Sequence, residues 1–231
     1  MEFLPNGFTL ELAEGAFPLS TDSMLLAHFA KLPRNARVLD LGSGCGTLGL
    51  LLCAKDESCT VAGLDLSEAA HRCALENIHR NGLSSRLSSI CCDLRELPAS
   101  FTGTFHCCIS NPPYFSGGPA NLATPIARRD DLCSPDELFQ AAAKALRYGG
   151  DFFLVHKPEK LAQLIGCGAA RGLEAKNLAL IRHKEGGPIT LILLQFRKGG
   201  KPGLQIREHC LFDILGKPTA YYKEVYHIQG E

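Results

Sequence analysis

Four consecutive residues, Asn111-Pro112-Pro113-Tyr114, have the types needed to activate a nitrogen nucleophile. The prolines fix the backbone and remove two N–H donors, so the carbonyls here face outward as acceptors beside the asparagine amide. An amine conjugated to a ring or a carbonyl is a poor nucleophile because its lone pair is delocalised. Hydrogen bonds from its N–H groups to the Asn111 side-chain oxygen and the Pro112 carbonyl favour a pyramidal nitrogen aimed at an electrophile. Tyr114 adds a ring on which a flipped planar base can stack. The bland alternative is a Pro-Pro turn that merely closes a strand.

A second group could hold the electrophile's carrier. In Val38-Leu39-Asp40-Leu41-Gly42-Ser43-Gly44-Cys45-Gly46 a glycine turn follows a strand and precedes a helix, where backbone can approach a ligand closely. Residues 44 to 49 match G-x-G-x-x-G, but Asp40 is an anion that would oppose a pyrophosphate, so the positive part of a ligand belongs there. The next two strand-like runs end in Asp65 and Asp93. A carboxylate after the second strand can accept both hydroxyls of a ribose, and one after the third can accept from an adenine amine. Each aspartate could instead only cap the helix that follows it.

These residues need a scaffold that brings strand ends together, and the pattern supplies one. From Arg37 short apolar strands alternate with amphipathic helices, which predicts an α/β sheet with helices on both faces. The strands are Val38 to Leu41, Thr60 to Leu64, Leu87 to Cys91, Phe105 to Ser110, Phe152 to Val155, Ala175 to Arg182 and Thr190 to Arg197. Helices are expected over Thr47 to Ala54, Ser67 to Asn81, Pro135 to Arg147 and Pro158 to about Arg171. An earlier helix over Ser23 to Ala30, capped by Thr21 or Asp22, ends before Pro33. Lys184 to Pro188 is short enough for a hairpin, so the last strand should be antiparallel in a mostly parallel, seven-stranded, Rossmann-like sheet. Residues 1–200 then form one domain, and 201–231 are an appendage of it.

Composition narrows the class. With 45% hydrophobic and 21% charged residues the 231-residue chain can build a core, which excludes a disordered protein. No apolar run reaches the ~18 residues of a membrane span, and the start, Met1 to Pro5, has no secretory pattern, so a cytoplasmic protein with no membrane partner is expected. Eleven cysteines, an odd number with no C-x-x-C spacing, suit reduced thiols better than a disulfide framework or a zinc site. The eight scattered histidines form no ligand set, and no metal is expected. Basic and acidic residues balance at 24 each, so a polyanion would need a local patch. The segment 151–231 is the more basic part, with 12 basic and 8 acidic side chains.

The glycine turn with Asp40 before it resembles motif I of the S-adenosylmethionine-dependent methyltransferases, and Asn111 to Tyr114 resembles motif IV of the amino-methyltransferases. Those enzymes act on adenine N6, on guanine or cytosine amines, or on glutamine side chains. Pro18-Leu19-Ser20-Thr21-Asp22-Ser23-Met24-Leu25-Leu26-Ala27, Tyr114 to Gly118, Ala127 to Asp130 and Asp136 to Leu138 are similar to the bacterial tRNA1(Val) adenine-N6-methyltransferases, a likeness running from residue 18 to about 197. Asp130-Asp131 departs from the glutamate that often follows the paired basic residues there.

This resemblance implies a class I methyltransferase fold, S-adenosylmethionine as cofactor, and a tRNA partner methylated on the adenine 3′ of its anticodon. It also implies catalytic roles for Asn111, Pro112 and Tyr114, and cofactor contacts at Thr21, Asp40, Gly42, Gly44, Asp65, Leu66, Asp93, Leu94 and Asn111. RNA contacts would come from Phe115, Arg128, Arg129, Arg197, Lys198 and Lys201, each of which could equally be a solvated surface residue. Release-factor glutamine methyltransferases share the Asn-Pro-Pro-Tyr sequence, but their helical domain before motif I would not fit in 36 residues. A methyltransferase-like subunit without catalysis would have no chemical need for either site.

Overall fold

Two residues apart in a strand means the same face of a sheet, and that alternation divides the core in two. The computed structural model describes residues 1–4, 7–13, 19–113 and 133–227. Its central sheet uses β3 (Arg37–Leu41), β4 (Thr60–Asp65), β5 (Leu87–Cys91), β6 (Phe105–Ser110), β7 (Leu146–His156), β8 (Leu173–Lys184), β9 (Ile189–Lys198) and β10 (Gln205–Phe212). Val38, Val61, Cys107, Ile109, Phe153 and Leu193 face one way. Leu39, Leu64, Cys108, Phe152 and Leu194 face the other. On the first face lie α1 (Thr21–Phe29), α2 (Thr47–Lys55) and α3 (Glu68–Arg80), and on the second α4 (Pro135–Ala145) and α5 (Leu161–Ala170).

The strand order is β10-β8-β9-β7-β6-β3-β4-β5, with β9 antiparallel to both neighbours and every other pairing parallel. The sheet therefore has eight strands where seven are expected. The antiparallel strand is not the outermost, because β9 inserts between β7 and β8. The added strand comes from the C-terminal segment, and its exposed first half, Gln205 to Glu208, lacks the buried alternation by which a strand is read.

Three boundaries also differ from expectation. The N-cap of α1 is Ser20, whose hydroxyl accepts from Ser23 N, and not Thr21 or Asp22. Helix α4 stops at Ala145 because Leu146, fully buried, already pairs with Phe105; the sheet register then slips across residues 147–150 before Asp151 meets Cys107. One 3₁₀ turn, Pro158–Lys160, precedes α5. After β10, α6 (Ala220–Val225) returns to pack on α1: Val225 enters the core, and the Tyr226 hydroxyl lies 3.0 Å from Thr21 Oγ1.

The lead-in is held by two asparagines that imitate a neighbouring strand. A short pair, β1 (Glu2–Phe3) and β2 (Thr9–Leu10), runs alongside α3. Asn81 accepts from Thr9 N and donates to Thr9 O, both at 2.8 Å. Asn77 does the same with Glu11, again at 2.8 Å, and donates to Cys45 O at 3.0 Å. Four helical residues rise about 6 Å and two strand residues about 6.6 Å, so asparagines at i and i+4 match alternate backbone groups of an extended chain.

Asn77 is wholly buried, and its loss would strand Glu11 N–H and take a donor from the Glu11 and Cys45 carbonyls, the first of which would keep only the Cys73 thiol at 3.2 Å. Asn77→Ala is expected to cost about 2 to 4 kcal/mol of stability and Asn81→Ala, half-buried, about 1 to 2 kcal/mol. Urea unfolding measures both, and a loss below about 1 kcal/mol for Asn77→Ala would show that the lead-in is held by other contacts.

Candidate active site

In an open parallel sheet, a ligand cleft forms where neighbouring strands send their connections to opposite faces. Strands β3 and β6 are such neighbours: β3 feeds α2 on one face, and the next helix among the described residues after β6 is α4 on the other. Their carboxyl ends are pinned together by the Ser110 hydroxyl, which donates to Leu41 O at 2.7 Å. In the parallel register Asp40 is level with Ile109, and Asn111 follows two residues further on at the carboxyl end of β6.

Asp40 is 1% exposed, and among the described residues neither of its carboxylate oxygens has a hydrogen-bond partner. Burial, and secondarily the nearby Asp65 charge, push its carboxyl up to about 8. The turn after it runs through Gly42 and Gly44 at φ +76° and +54°, a region that side chains resist. Among the described residues a Cβ built on either would meet nothing within 4 Å, so these residues leave room in front of the turn. Gly42 N and Ser43 N both donate to Leu64 O, at 2.8 and 3.0 Å, which fastens the turn to β4.

Asp65, the last residue of β4, accepts from Gly44 N through Oδ2 and from Ser67 N through Oδ1, both at 2.8 Å. It therefore shapes the turn and also caps the approach to α3, and each oxygen retains a further lone pair. Leu66 beside it is 47% exposed, an apolar side chain in solvent at the strand end. Asp93 caps the 3₁₀ turn Leu94–Glu96 by accepting from Arg95 N, and the Arg95 Nε lies 2.9 Å from its Oδ2. That guanidinium holds the Asp93 carboxyl below the usual carboxylate range. Leu94 is half-buried.

Asn111 donates through Nδ2 to the Ser23 hydroxyl on α1 at 2.9 Å, and among the described residues no donor reaches its amide oxygen. Pro112 is buried and Pro113 exposed. Thr21, at the start of α1, is engaged by Tyr226. Tyr114, Phe115, Arg128 and Arg129 lie outside the described residues.

The C-terminal basic residues sit elsewhere. Because β9 runs against the parallel strands, its last residues reach the opposite end of the sheet, where Asp151 pairs with Arg197. Arg197 Nε and Nη2 donate to the Asp151 carboxylate at 2.8 and 2.9 Å, and Lys198 Nζ donates to Ala143 O and Leu146 O at the end of α4. Lys201 follows at that same end, exposed. Sequence reasoning passed over Ser23 and Tyr226. The signal for Ser23 was a hydroxyl among the apolar residues of α1, where it is 6% exposed. Tyr226 offered none, since its partner is 205 positions away.

The arrangement can hold a cationic donor beside Asp40 and present an acceptor, the Asn111 oxygen, to an amine next to it. A family model described as the methyltransferase small domain matches residues 20–165. The chain is 29% identical over 204 residues to the tRNA1(Val) (adenine(37)-N6)-methyltransferase of Photobacterium profundum, covering 84% of each chain. It is 30% identical to the same-named protein of Shewanella halifaxensis, covering 71% of this chain and 68% of that one. A predicted O-methyltransferase from Agrobacterium tumefaciens shares the fold, with a TM-score of 0.75 at 21% identity over 90% of this chain and 96% of that one. The sheet and helices are thus those of a methyltransferase fold, and the chain belongs to the methyltransferase small domain family.

Proposed function

We propose that the protein is an S-adenosylmethionine-dependent N-methyltransferase acting on adenine N6 in tRNA, at the position that its curated relatives' name gives. One observation carries this reading: the Asn111 amide is fastened by its nitrogen, and among the described residues nothing donates to its oxygen, which stands as an acceptor at the sheet's ligand cleft. An exocyclic amine needs an acceptor there. The tRNA reading is favoured over a glutamine side chain because the relatives covering most of the chain are named for tRNA. Eleven free thiols suit the cytoplasm, where we place the reaction. We read the whole chain as one domain, with residues 201–231 completing it.

The residues fit the cofactor. Its ammonium is the partner that the lone, buried Asp40 carboxyl lacks. The open face of Gly42 and Gly44 admits its backbone-hugging part, the remaining lone pairs of Asp65 suit ribose hydroxyls, and Leu66, Leu94 and Asp93 suit the adenine end. When bound, the cofactor supplies a methyl group on a positively charged sulfur. The Asn111 oxygen and the Pro112 carbonyl accept the two N–H bonds of the substrate amine and turn its lone pair toward that methyl. Tyr114 is the proposed platform for the base, and Phe115, Arg128 and Arg129 are proposed RNA contacts.

Incubating the protein with labelled cofactor and bacterial tRNA, then digesting to nucleosides, is expected to give N6-methyladenosine. Label in a release factor and none in tRNA would replace this reading with the glutamine one. Asn111→Ala is expected to abolish transfer while cofactor affinity, measured by titration calorimetry, stays within about twofold, since the hydrogen bond lost is made to the substrate. Wild-type turnover in that variant would remove Asn111 from the reaction.

The folded carboxyl of Asp40 titrates at about 8 against an ordinary 3.8, so the free protein carries an extra proton between those values. Its contribution therefore lowers stability as pH rises through that window. Binding a cation favours the ionised form, so at pH 7 cofactor binding should expel a proton, and affinity should climb with pH until about 8. Calorimetry in buffers of different ionisation enthalpy reads that proton, and Asp40→Asn should abolish it. No proton release in the wild-type protein would mean that Asp40 does not meet the ammonium.

A further inference from the structure

An asparagine amide has two nearly isosteric ends, and a half-turn about Cβ–Cγ exchanges an acceptor for a donor. In the proposed reaction only one orientation works, because an NH₂ group facing the substrate amine would confront its N–H bonds. Something must choose. The backbone of Asn111 cannot, since it is the same for both orientations.

We infer that Ser23 is a positioning residue for methyl transfer, holding Asn111 Nδ2 so that the amide oxygen faces the substrate amine; the inference rests on the methyl-transfer reading of the site. Ser23 Oγ is 2.9 Å from Asn111 Nδ2, and Ser23 is 6% exposed, so bulk water has little access to replace it. A hydroxyl can donate or accept, and its surroundings decide which. Ser20 Oγ lies 3.4 Å away, available for the Ser23 hydroxyl proton. With that proton directed to Ser20, the Ser23 lone pairs face Asn111, where only the NH₂ end is a suitable partner. The N-cap of α1 thereby sets the orientation of an amide 88 residues along the chain from Ser23.

The helix that carries Ser23 is itself fixed at both ends. Lys55 Nζ donates to the carbonyls of Ala27, His28 and Ala30 at its C-terminus, and Tyr226 engages Thr21 at its start. Ser23 therefore approaches Asn111 from a braced support.

The test compares wild-type, Ser23→Ala and Ser23→Thr proteins for kcat and KM on tRNA and for cofactor Kd. Ser23→Ala is expected to lower kcat roughly tenfold, with tRNA KM and cofactor Kd within about twofold, and Ser23→Thr, which keeps the hydroxyl, to restore most of kcat. A merely structural role would move Kd and the melting temperature with kcat and would not be rescued by threonine. Unchanged kcat in Ser23→Ala, or a threonine variant no better than alanine, overturns the inference. The side-chain amide protons of Asn111, followed by NMR in ¹⁵N-labelled protein, give a readout that needs no turnover. They should exchange with water several-fold faster in Ser23→Ala than in wild type. Equal exchange overturns the inference even if the wild-type enzyme methylates tRNA. Absence of any methylation by the wild-type protein overturns the reaction assigned to the site, while the amide exchange still decides whether Ser23 holds Asn111.

Discussion

Everything at the candidate site depends on two parallel strands, β3 and β6, lying side by side while their connections leave toward opposite faces. Parallel pairing puts both carboxyl ends at one edge, and in such a sheet helices packed on opposite faces leave a crevice there. The chain then needs only a backbone that stays clear of the gap, which glycines at 42 and 44 provide, and polar groups at the strand ends. The Ser110 bond to Leu41 O closes the two strands just beneath those groups. Asp40, Asp65 and Asn111 are neighbours because strand ends are neighbours, whatever their separation in sequence.

That geometry has an electrostatic cost that the fold tolerates locally. Two carboxyl groups, Asp40 and Asp65, share one strand-end corner, and among the described residues Asp65 has hydrogen-bond donors to accept from and Asp40 has none. The buried member stays neutral by keeping its proton, the usual outcome when a like charge and a dry environment act together. A cationic ligand reverses both conditions. The corner is thus prepared for positive charge by the way it is left incomplete.

Local signals in the sequence were strong where one stretch of chain builds one feature. The strand ends at Asp40, Asp65 and Asn111 and the caps at Ser67 and Asn81 are of this kind, since each is written in a few consecutive residues. Features that join distant segments were not legible. The insertion of β9 between β7 and β8 is a choice of neighbours, and alternation says only that a strand exists. Strand β10 sits at the edge with four exposed residues in succession, so it carries no pattern. Arg197 and Lys198 read as free cations because their partners, Asp151 and the end of α4, come from segments about fifty residues earlier. Asn77 differs from an ordinary polar helix residue through Glu11, 66 positions earlier. Ser23 was passed over although its hydroxyl stands among apolar residues.

The bond between Thr21 and Tyr226 bears on how the molecule is made. A ribosome delivers the amino end first, and domains assemble as their parts emerge. Here β3 to β6 can pair as soon as residue 110 is free, but α1 gains its last brace only when α6 arrives, 205 positions after Thr21. Until then a nascent chain would own a nearly finished cofactor corner next to an unsupported helix. The arrival of α6 is therefore the step that completes the support behind the asparagine, and a nascent chain released before it would lack that support.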